Sequence, residues 1–365
     1  MDVYEKYKLQ RVINASGKMT ILGVSKVSDK VSEAQKTGGQ NFFVMKDLLK
    51  ETGAYLAHRL GAEDAVIVSS ASAGIAQSVA AVIGKGDAYH LMHPYDSRYQ
   101  CKEIIIPKGH NVNYGTSVEL MIQQGGGKVV EAGYANECTP EHIAMNITEN
   151  TAAIFYVKSH HTVQKSMLTV EEAVMVAKEH SVPLIIDVAA EEDLTKYYEL
   201  GCDLVIYSGA KAIEGPSSGL VLGKEELVSW VRMQSSGLGR SMKIGKENIL
   251  GFVEAVDQYL DSGSESKESM LARLNPFIDA LNLIPGIKAQ CVQDGAGREI
   301  YRASVKVDSK LMNAHELIDR LKDGNTAVYT REYQANNGII EFDIRSVNED
   351  EMSVIVDKLK NVLGG

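Results

Sequence analysis

The sequence predicts an α/β protein: a mostly parallel sheet with helices on both faces, followed by a smaller C-terminal α+β domain. Three observations carry that expectation. Short β-branched runs alternate with helical patterns through about the first 260 residues. Those runs are apolar throughout rather than alternating, as strands covered on both faces are. The pattern then changes beyond SGSESKES (262–269), the most polar and linker-like stretch in the chain. The expected division is therefore 1–260, an N-terminal segment with the large α/β domain, and 261–365, the small domain.

The elements follow in order. Ala65–Ser70 (AVIVSS) reads as a buried strand, and Gly74–Ile83 as a helix of small residues. Further strands are expected at Ala88–Met92, Lys128–Ala132, Ala152–Val157, Pro183–Val188 and Asp203–Tyr207. Thr169-Val170-Glu171-Glu172 is a capping box, in which the threonine hydroxyl and the glutamate satisfy each other's backbone N–H, so it opens a helix running to His180. After the polar stretch come a helix and strands near Ile287–Val292, Tyr301–Val307, Thr326–Thr330 and Gly338–Ile344, with helices near Ala314–Leu321 and Glu349–Leu363.

Composition narrows the function classes. The 365 residues are 44% hydrophobic and 24% charged, ordinary for a globular chain. Lys+Arg number 38 and Asp+Glu 48, a formal charge of −10, which disfavours a phosphate backbone as the main partner. No apolar run approaches the ~20 residues of a spanning helix, and the polar start MDVYEKYKLQR is unlike a signal peptide. Cys101, Cys138, Cys202 and Cys291 are too far apart for a zinc spacing and suit a reducing cytosol. The expectation is a cytoplasmic protein with no membrane, nucleic-acid or metal partner.

Four features carry chemistry. Ser69-Ser70-Ala71-Ser72-Ala73-Gly74 joins a buried strand to a helix start, where small residues let backbone N–H groups approach an anion. Asp187 ends the run Pro183-Leu184-Ile185-Ile186, placing a carboxylate at the strand edge where α/β proteins bind ligands. Lys211 follows the strand DLVIYS and precedes the Gly-rich return EGPSSGLVLG, a confined position in which a lysine can serve as an amine nucleophile. Ser208, three residues earlier, is placed to donate to the same anion as the Ser72 turn. A cap aspartate, a surface lysine or a Ser/Gly turn would each be unremarked alone. Together, an amine, a carboxylate for a ring nitrogen and a phosphate cradle match pyridoxal 5′-phosphate (PLP).

With these residues in place, the chain resembles the fold-type I PLP enzymes, whose sheet is seven-stranded. Phosphate turn, Asp-x-Ala and Ser-x-x-Lys recur there in the same order. The resemblance implies that Asp187 pairs with the pyridine nitrogen, Ala189 packs on the ring and Lys211 bonds to the cofactor aldehyde as a Schiff base. It also puts Ser72, Ala73, Gly74 and Ser208 on the phosphate. Val12-Ile13-Asn14-Ala15-Ser16-Gly17 and Gly125-Gly126-Gly127-Lys128-Val129-Val130-Glu131-Ala132-Gly133 are similar to motifs of the branch containing bacterial selenocysteine synthase. Within that branch, INASGKMT (13–20), VKSHHTVQKSMLT (157–169) and YSGAKAIEGPSSG (207–219) resemble ammonia-lyases of phosphorylated amino sugar acids. Two departures turn the expectation away from the tRNA enzyme. Asn14 follows only thirteen residues, and the net charge of −10 gives no broad surface for a polyanion.

The implied reaction is elimination of a β-hydroxyl followed by release of ammonia. Lys211 takes the Cα proton, and Lys211, His160 or His161 protonates the leaving hydroxyl. Ser159 is expected at the cofactor's ring oxygen. His110, after the apolar run EIIIP, is expected to stack on the ring or to sit in a surface loop. Arg240, Lys243 and Lys246 are candidates for the substrate phosphate, Arg345 for its carboxylate, and Asn14, Lys18 and Thr20 for lining the site. The resemblance further implies a homo-oligomer with a shared active site. The alternatives are a selenocysteine synthase-like transferase, a β-lyase or aldolase on another amino acid, and a non-catalytic PLP-binding protein.

Overall fold

The computed structural model describes residues 2–263, 265–294 and 299–364. The chain divides into two compact units, one of residues 27–261 and one joining 1–26 to 262–365. The N-terminal segment thus groups with the C-terminal residues, whereas the sequence predicts it with the large domain. The reason is a pairing invisible in local sequence: strand β1 (Arg11–Ala15) runs parallel to a strand at Thr326–Thr330, Arg11 opposite Thr326.

The large unit contains β2 (Asp64–Val68), β3 (Glu103–Pro107), β4 (Lys128–Ala132), β5 (Thr151–Val157), β6 (Leu184–Asp187), β7 (Leu204–Ser208) and β8 (Gly219–Gly223). They form one seven-stranded sheet in the order β2-β8-β7-β6-β5-β3-β4. Only β8 runs antiparallel to its neighbours. Side chains alternate between two cores, as the two-residue pleat requires. Ile105, Ile154, Ile186, Val205 and Leu220 join one core; Ile104, Phe155, Ile185, Ile206 and Val221 join the other. Ile104, Ile105 and Ile106 have no exposed surface, and each contributes about 1.5–3 kcal/mol of transfer free energy.

The helix Ala71–Gly84 is buried from Ala73 onward. Its small residues permit close approach: a Cβ on Gly74 would stand 3.1 Å from Val221 and 3.2 Å from Ile206. Two expectations about elements need correction. Ala88–Met92 is a short helix rather than a strand, started by the Asp87 carboxylate, which accepts the Tyr89 N–H at 2.8 Å. The strand in this part of the chain is β3, the EIIIP run. GLVLG, read as a return, is the antiparallel β8.

In the smaller unit, β9 (Ile287–Gln293), β10 (Tyr301–Val307) and β12 (Ile339–Phe342) form an antiparallel sheet with β10 central, and β11 (Thr326–Thr330) is the partner of β1. Helices Lys267–Asn282, Ala314–Lys322 and Glu349–Leu363 accompany them. Leu274, Leu317, Ile340 and Ile355 are fully enclosed, and Phe277 meets Phe342 edge-on at 5.7 Å. The polar stretch 262–269 joins the helix Lys246–Ser262 to Lys267–Asn282, and Ser264 within it lies outside the described residues. Among the described residues, no helix is long and apolar enough to cross a membrane.

Candidate active site

The C-terminal edge of the parallel strands gathers the chemistry-bearing residues of the large unit. Val157 at the end of β5 is opposite Asp187, and Ser208 at the end of β7 is opposite Gly219. Backbone bonds tie these ends together: the Lys158 N–H donates to the Asp187 carbonyl at 2.9 Å and the Ser208 N–H to the Ala189 carbonyl at 3.2 Å. Asp187, Ala189 and Ser208 are thereby held in one register.

Asp187 is 7% exposed, and its Oδ1 accepts the Ala189 N–H at 3.0 Å. Burial raises its pKa, and the charge of Lys211 offsets part of that rise, so the two groups lie within electrostatic reach. Lys211 is half-buried in a tight turn. Its N–H donates to Ser208 O at 3.3 Å, Gly215 N–H to Gly209 O at 2.7 Å, and Gly209 N–H to Ser218 O at 2.9 Å. A Cβ on Gly209 would collide with Ser218 Oγ at 2.1 Å, so glycine is what lets the turn close.

The phosphate turn differs in detail from expectation. The helix begins at Ala71, and the N-cap Ser70 accepts the Ala73 N–H on its hydroxyl at 3.0 Å and the Gly74 N–H on its carbonyl at 2.9 Å. Two of the three expected amides are therefore engaged within the helix, and the Ala71 and Ser72 amides remain at its positive end for an anion. Gly219 makes room for the turn, since a Cβ there would stand 2.6 Å from the Ser70 backbone.

His110 does not sit where a ring-stacking group would. It has no exposed surface, its Nε2 donates to Val163 O at 3.1 Å, its Nδ1 accepts the Val157 N–H at 3.5 Å, and it meets Tyr156 edge-on. Burial, with a smaller contribution from the Lys158 charge, lowers its pKa to about 4, so it is a neutral packing residue. The aromatic that does approach the Ser72 turn is Tyr114, which the sequence does not single out. Its hydroxyl lies 3.2 Å from Ser72 Oγ, burial raises its pKa, and Asp187 adds to the rise. It stands in the loop after β3, a strand not expected from the sequence.

Ser159 is half-buried, and its Oγ accepts the His161 N–H at 3.3 Å. His160 and His161 are exposed, with ring centroids 3.9 Å apart. Arg240 and Lys243 are exposed as well. Lys246 is engaged elsewhere, its Nζ donating to the carbonyls of Gly38 and Gly39.

In the smaller unit, Arg345 is bidentate to Asp343, Nε to Oδ1 at 2.9 Å and Nη2 to Oδ2 at 2.8 Å. Asp343 also accepts from Arg302 Nε at 3.0 Å, and Arg302 Nη1 donates to Asp294 at 2.9 Å. Burial pushes the Asp343 pKa up, but the two arginines outweigh it and leave it at about 2. The Arg345 fork is thus partly committed to a strand-end ion pair. Asn14 donates to Gly17 O at 2.8 Å and accepts from the Ser16 hydroxyl at 2.7 Å, closing its own turn. Gly17, at φ +94°, brings that turn against Asp343, 3.2 Å from where its Cβ would be. Lys18 is half-buried, and Thr20 is exposed at the start of a 3₁₀ turn.

The sheet and its helices have the fold of the fold-type I PLP enzymes. The residues fit the cofactor on their own chemistry, because a buried carboxylate whose charge is disfavoured calls for the cation that a protonated pyridine nitrogen supplies. The model of the L-seryl-tRNA selenium transferase family matches residues 12–313, and the chain belongs to that family. A D-glucosaminate-6-phosphate ammonia lyase of Salmonella typhimurium is 42% identical over 363 residues, covering 99% of this chain and 98% of the relative. A 5'-C-glycyluridine monooxygenase-decarboxylase of a Streptomyces species is 36% identical, covering 99% of this chain and 92% of the relative. A solved structure of D-glucosaminate-6-phosphate ammonia-lyase matches with TM-score 0.94 at 41% identity, covering 100% of this chain and 98% of that one. The expected kinship is borne out.

Proposed function

We propose that the protein is a PLP-dependent ammonia-lyase converting D-glucosaminate 6-phosphate to 2-keto-3-deoxygluconate 6-phosphate and ammonia. The observation that carries the reading is the buried Asp187, poised beside the charge of Lys211 at the ligand edge of the sheet. Lys211, Asp187, Ser208 and the Ala71–Ser72 turn would hold the cofactor, with Ala189 and Tyr114 against it. Bound there, PLP supplies an electron sink for the charge left when a Cα proton departs.

The chain's own groups do the rest. Lys211 takes the Cα proton, and the turn confines its ammonium near Cβ, which must gain a proton after the hydroxyl has left and before the carbon–nitrogen bond is hydrolysed. Hydroxide leaves Cβ and is protonated by Lys211 or by the His160–His161 pair. Water is lost in that step and regained when the carbon–nitrogen bond is hydrolysed, so the net change is loss of ammonia. Asp187 would hold the protonated pyridine nitrogen by its charge, and the apolar strand ends around it exclude water. Arg240 and Lys243 are assigned to the substrate phosphate, and Arg345, with Asn14, Lys18 and Thr20, to its carboxylate end. We place the enzyme in the cytoplasm as a homo-oligomer, a location that its unpaired cysteines suit.

The test is product analysis with D-glucosaminate 6-phosphate beside serine and cystathionine. Keto acid and ammonia in equal amounts from the first substrate are expected. Turnover of serine or cystathionine alone would overturn the substrate and leave the cofactor assignment standing.

A further inference from the structure

The opposite edge of the large unit's sheet holds a cavity of about 590 Å³, within the range of small-molecule sites. It opens where the parallel strands begin: Thr151 starts β5, Pro183 precedes β6 and Asp203 precedes β7. Lys211 and Asp187 lie at the other ends of these strands, and five residues of strand span about 16 Å. The wall also contains Lys85, Lys178, Lys224 and Trp230, the sole tryptophan of the chain.

Net charge does not choose a ligand here, because the three lysines face Glu63, Asp203 and Glu226. Pairing does. Asp203 Oδ2 accepts the Leu184 N–H at 2.9 Å, and Glu63 Oε2 accepts the Glu225 N–H at 3.0 Å. Burial raises the Asp203 pKa, and the Leu184 N–H, Lys224 and Lys178 draw it back in part. Among the described residues, none of the three ammonium groups makes an ion pair or hydrogen bond.

Two of these lysines have an ordinary explanation. Lys85 and Lys178 come from the C-terminal ends of the helices Ala71–Gly84 and Val170–Glu179, where cations are favoured. Lys224 does not. It is the N-cap of Glu225–Met233, the end at which a cation is disfavoured, and makes no side-chain capping bond.

We propose that this cavity is a second ligand site, binding a small phosphorylated metabolite. Its phosphate meets Lys85, Lys178 and Lys224, and its carbon body lies along Val82, Leu227 and Trp230. The site is independent of the reaction assigned to the other edge.

The indole makes the test direct. The full-length holoenzyme is titrated with inorganic phosphate and with glucose 6-phosphate at constant ionic strength, and tryptophan emission is followed. A saturable change is expected, unaltered by Lys211→Ala. In Lys178→Ala/Lys224→Ala, half-saturation should move to about tenfold higher ligand, as loss of charge-assisted contacts predicts, while Lys178→Arg/Lys224→Arg should retain binding. No saturable change, the same curve in the alanine variant, or the same change with chloride would each overturn the proposal.

Discussion

Asp187 and Asp343 are both buried carboxylates at strand ends, the first closing β6 and the second just past β12, and they behave in opposite ways. Asp187 has a raised pKa because burial dominates and the charge of Lys211 offsets it only in part. Asp343 is equally enclosed yet sits at about 2, because Arg345 and Arg302 both hydrogen-bond to it. Burial alone therefore does not set the character of a buried acid; its neighbours do. In the large unit Lys211 offsets the burial of the aspartate only in part, which suits the cofactor role proposed for it, whereas the smaller unit commits its aspartate to holding its own strand ends.

The largest effect should come from removing the amine that stands near Asp187. Lys211→Ala is expected to lower kcat by roughly 10³- to 10⁴-fold with the fold intact, measured by ammonia release and circular dichroism. Activity within tenfold of the parent would break the assignment. Asp187→Asn comes next, with kcat down about 10²- to 10³-fold from loss of a charge preorganised for the reaction. The same change should stabilise the apoenzyme. Folding raises the Asp187 pKa, so its ionised form opposes folding at neutral pH, and that penalty fades as pH falls through the raised value. Apo Asp187→Asn should melt higher than the apo parent at pH 7; a lower melting temperature would contradict the unpaired-acid account.

For Asp343→Asn the sign reverses. Arg302, 3% exposed, and Arg345 lose their shared counter-charge, and the unfolding free energy should fall by about 3–5 kcal/mol in denaturant titrations. Asp343 has a folded pKa of about 2, below the ordinary value of about 4, so its stabilisation is complete above that ordinary value and is lost as pH falls through this window. The stability gap between parent and variant should narrow over the same range. The smallest effect is expected at Tyr114. Tyr114→Phe removes one hydroxyl contact to Ser72 and should weaken cofactor binding about three- to tenfold, read from retention of PLP on dilution. Unchanged retention would detach Tyr114 from the cofactor.

The two aspartates also differ in how far the sequence discloses them. Asp187 is legible because the carboxylate directly after PLII is followed by a second apolar strand and then by Lys211 in a glycine turn, a combination that neither residue makes alone. Asp343 gives no such sign: its partner Arg302 comes from β10 and is shared with Asp294, just beyond β9, and register across an antiparallel sheet is not written in local composition. The same reason hides the pairing of β1 with β11 and the antiparallel β8. Ala88–Met92 misleads because a short, mostly apolar run fits helix or strand equally, and the decision lies with the Asp87 cap. That error displaces β3 and, with it, Tyr114.

Lys211 as the residue that carries the cofactor is the claim on which the other assignments depend. Holoenzyme reduced with borohydride and digested should yield one pyridoxyl-labelled peptide, containing Lys211. A label on any other lysine, or a fully active preparation that takes up none, would contradict it.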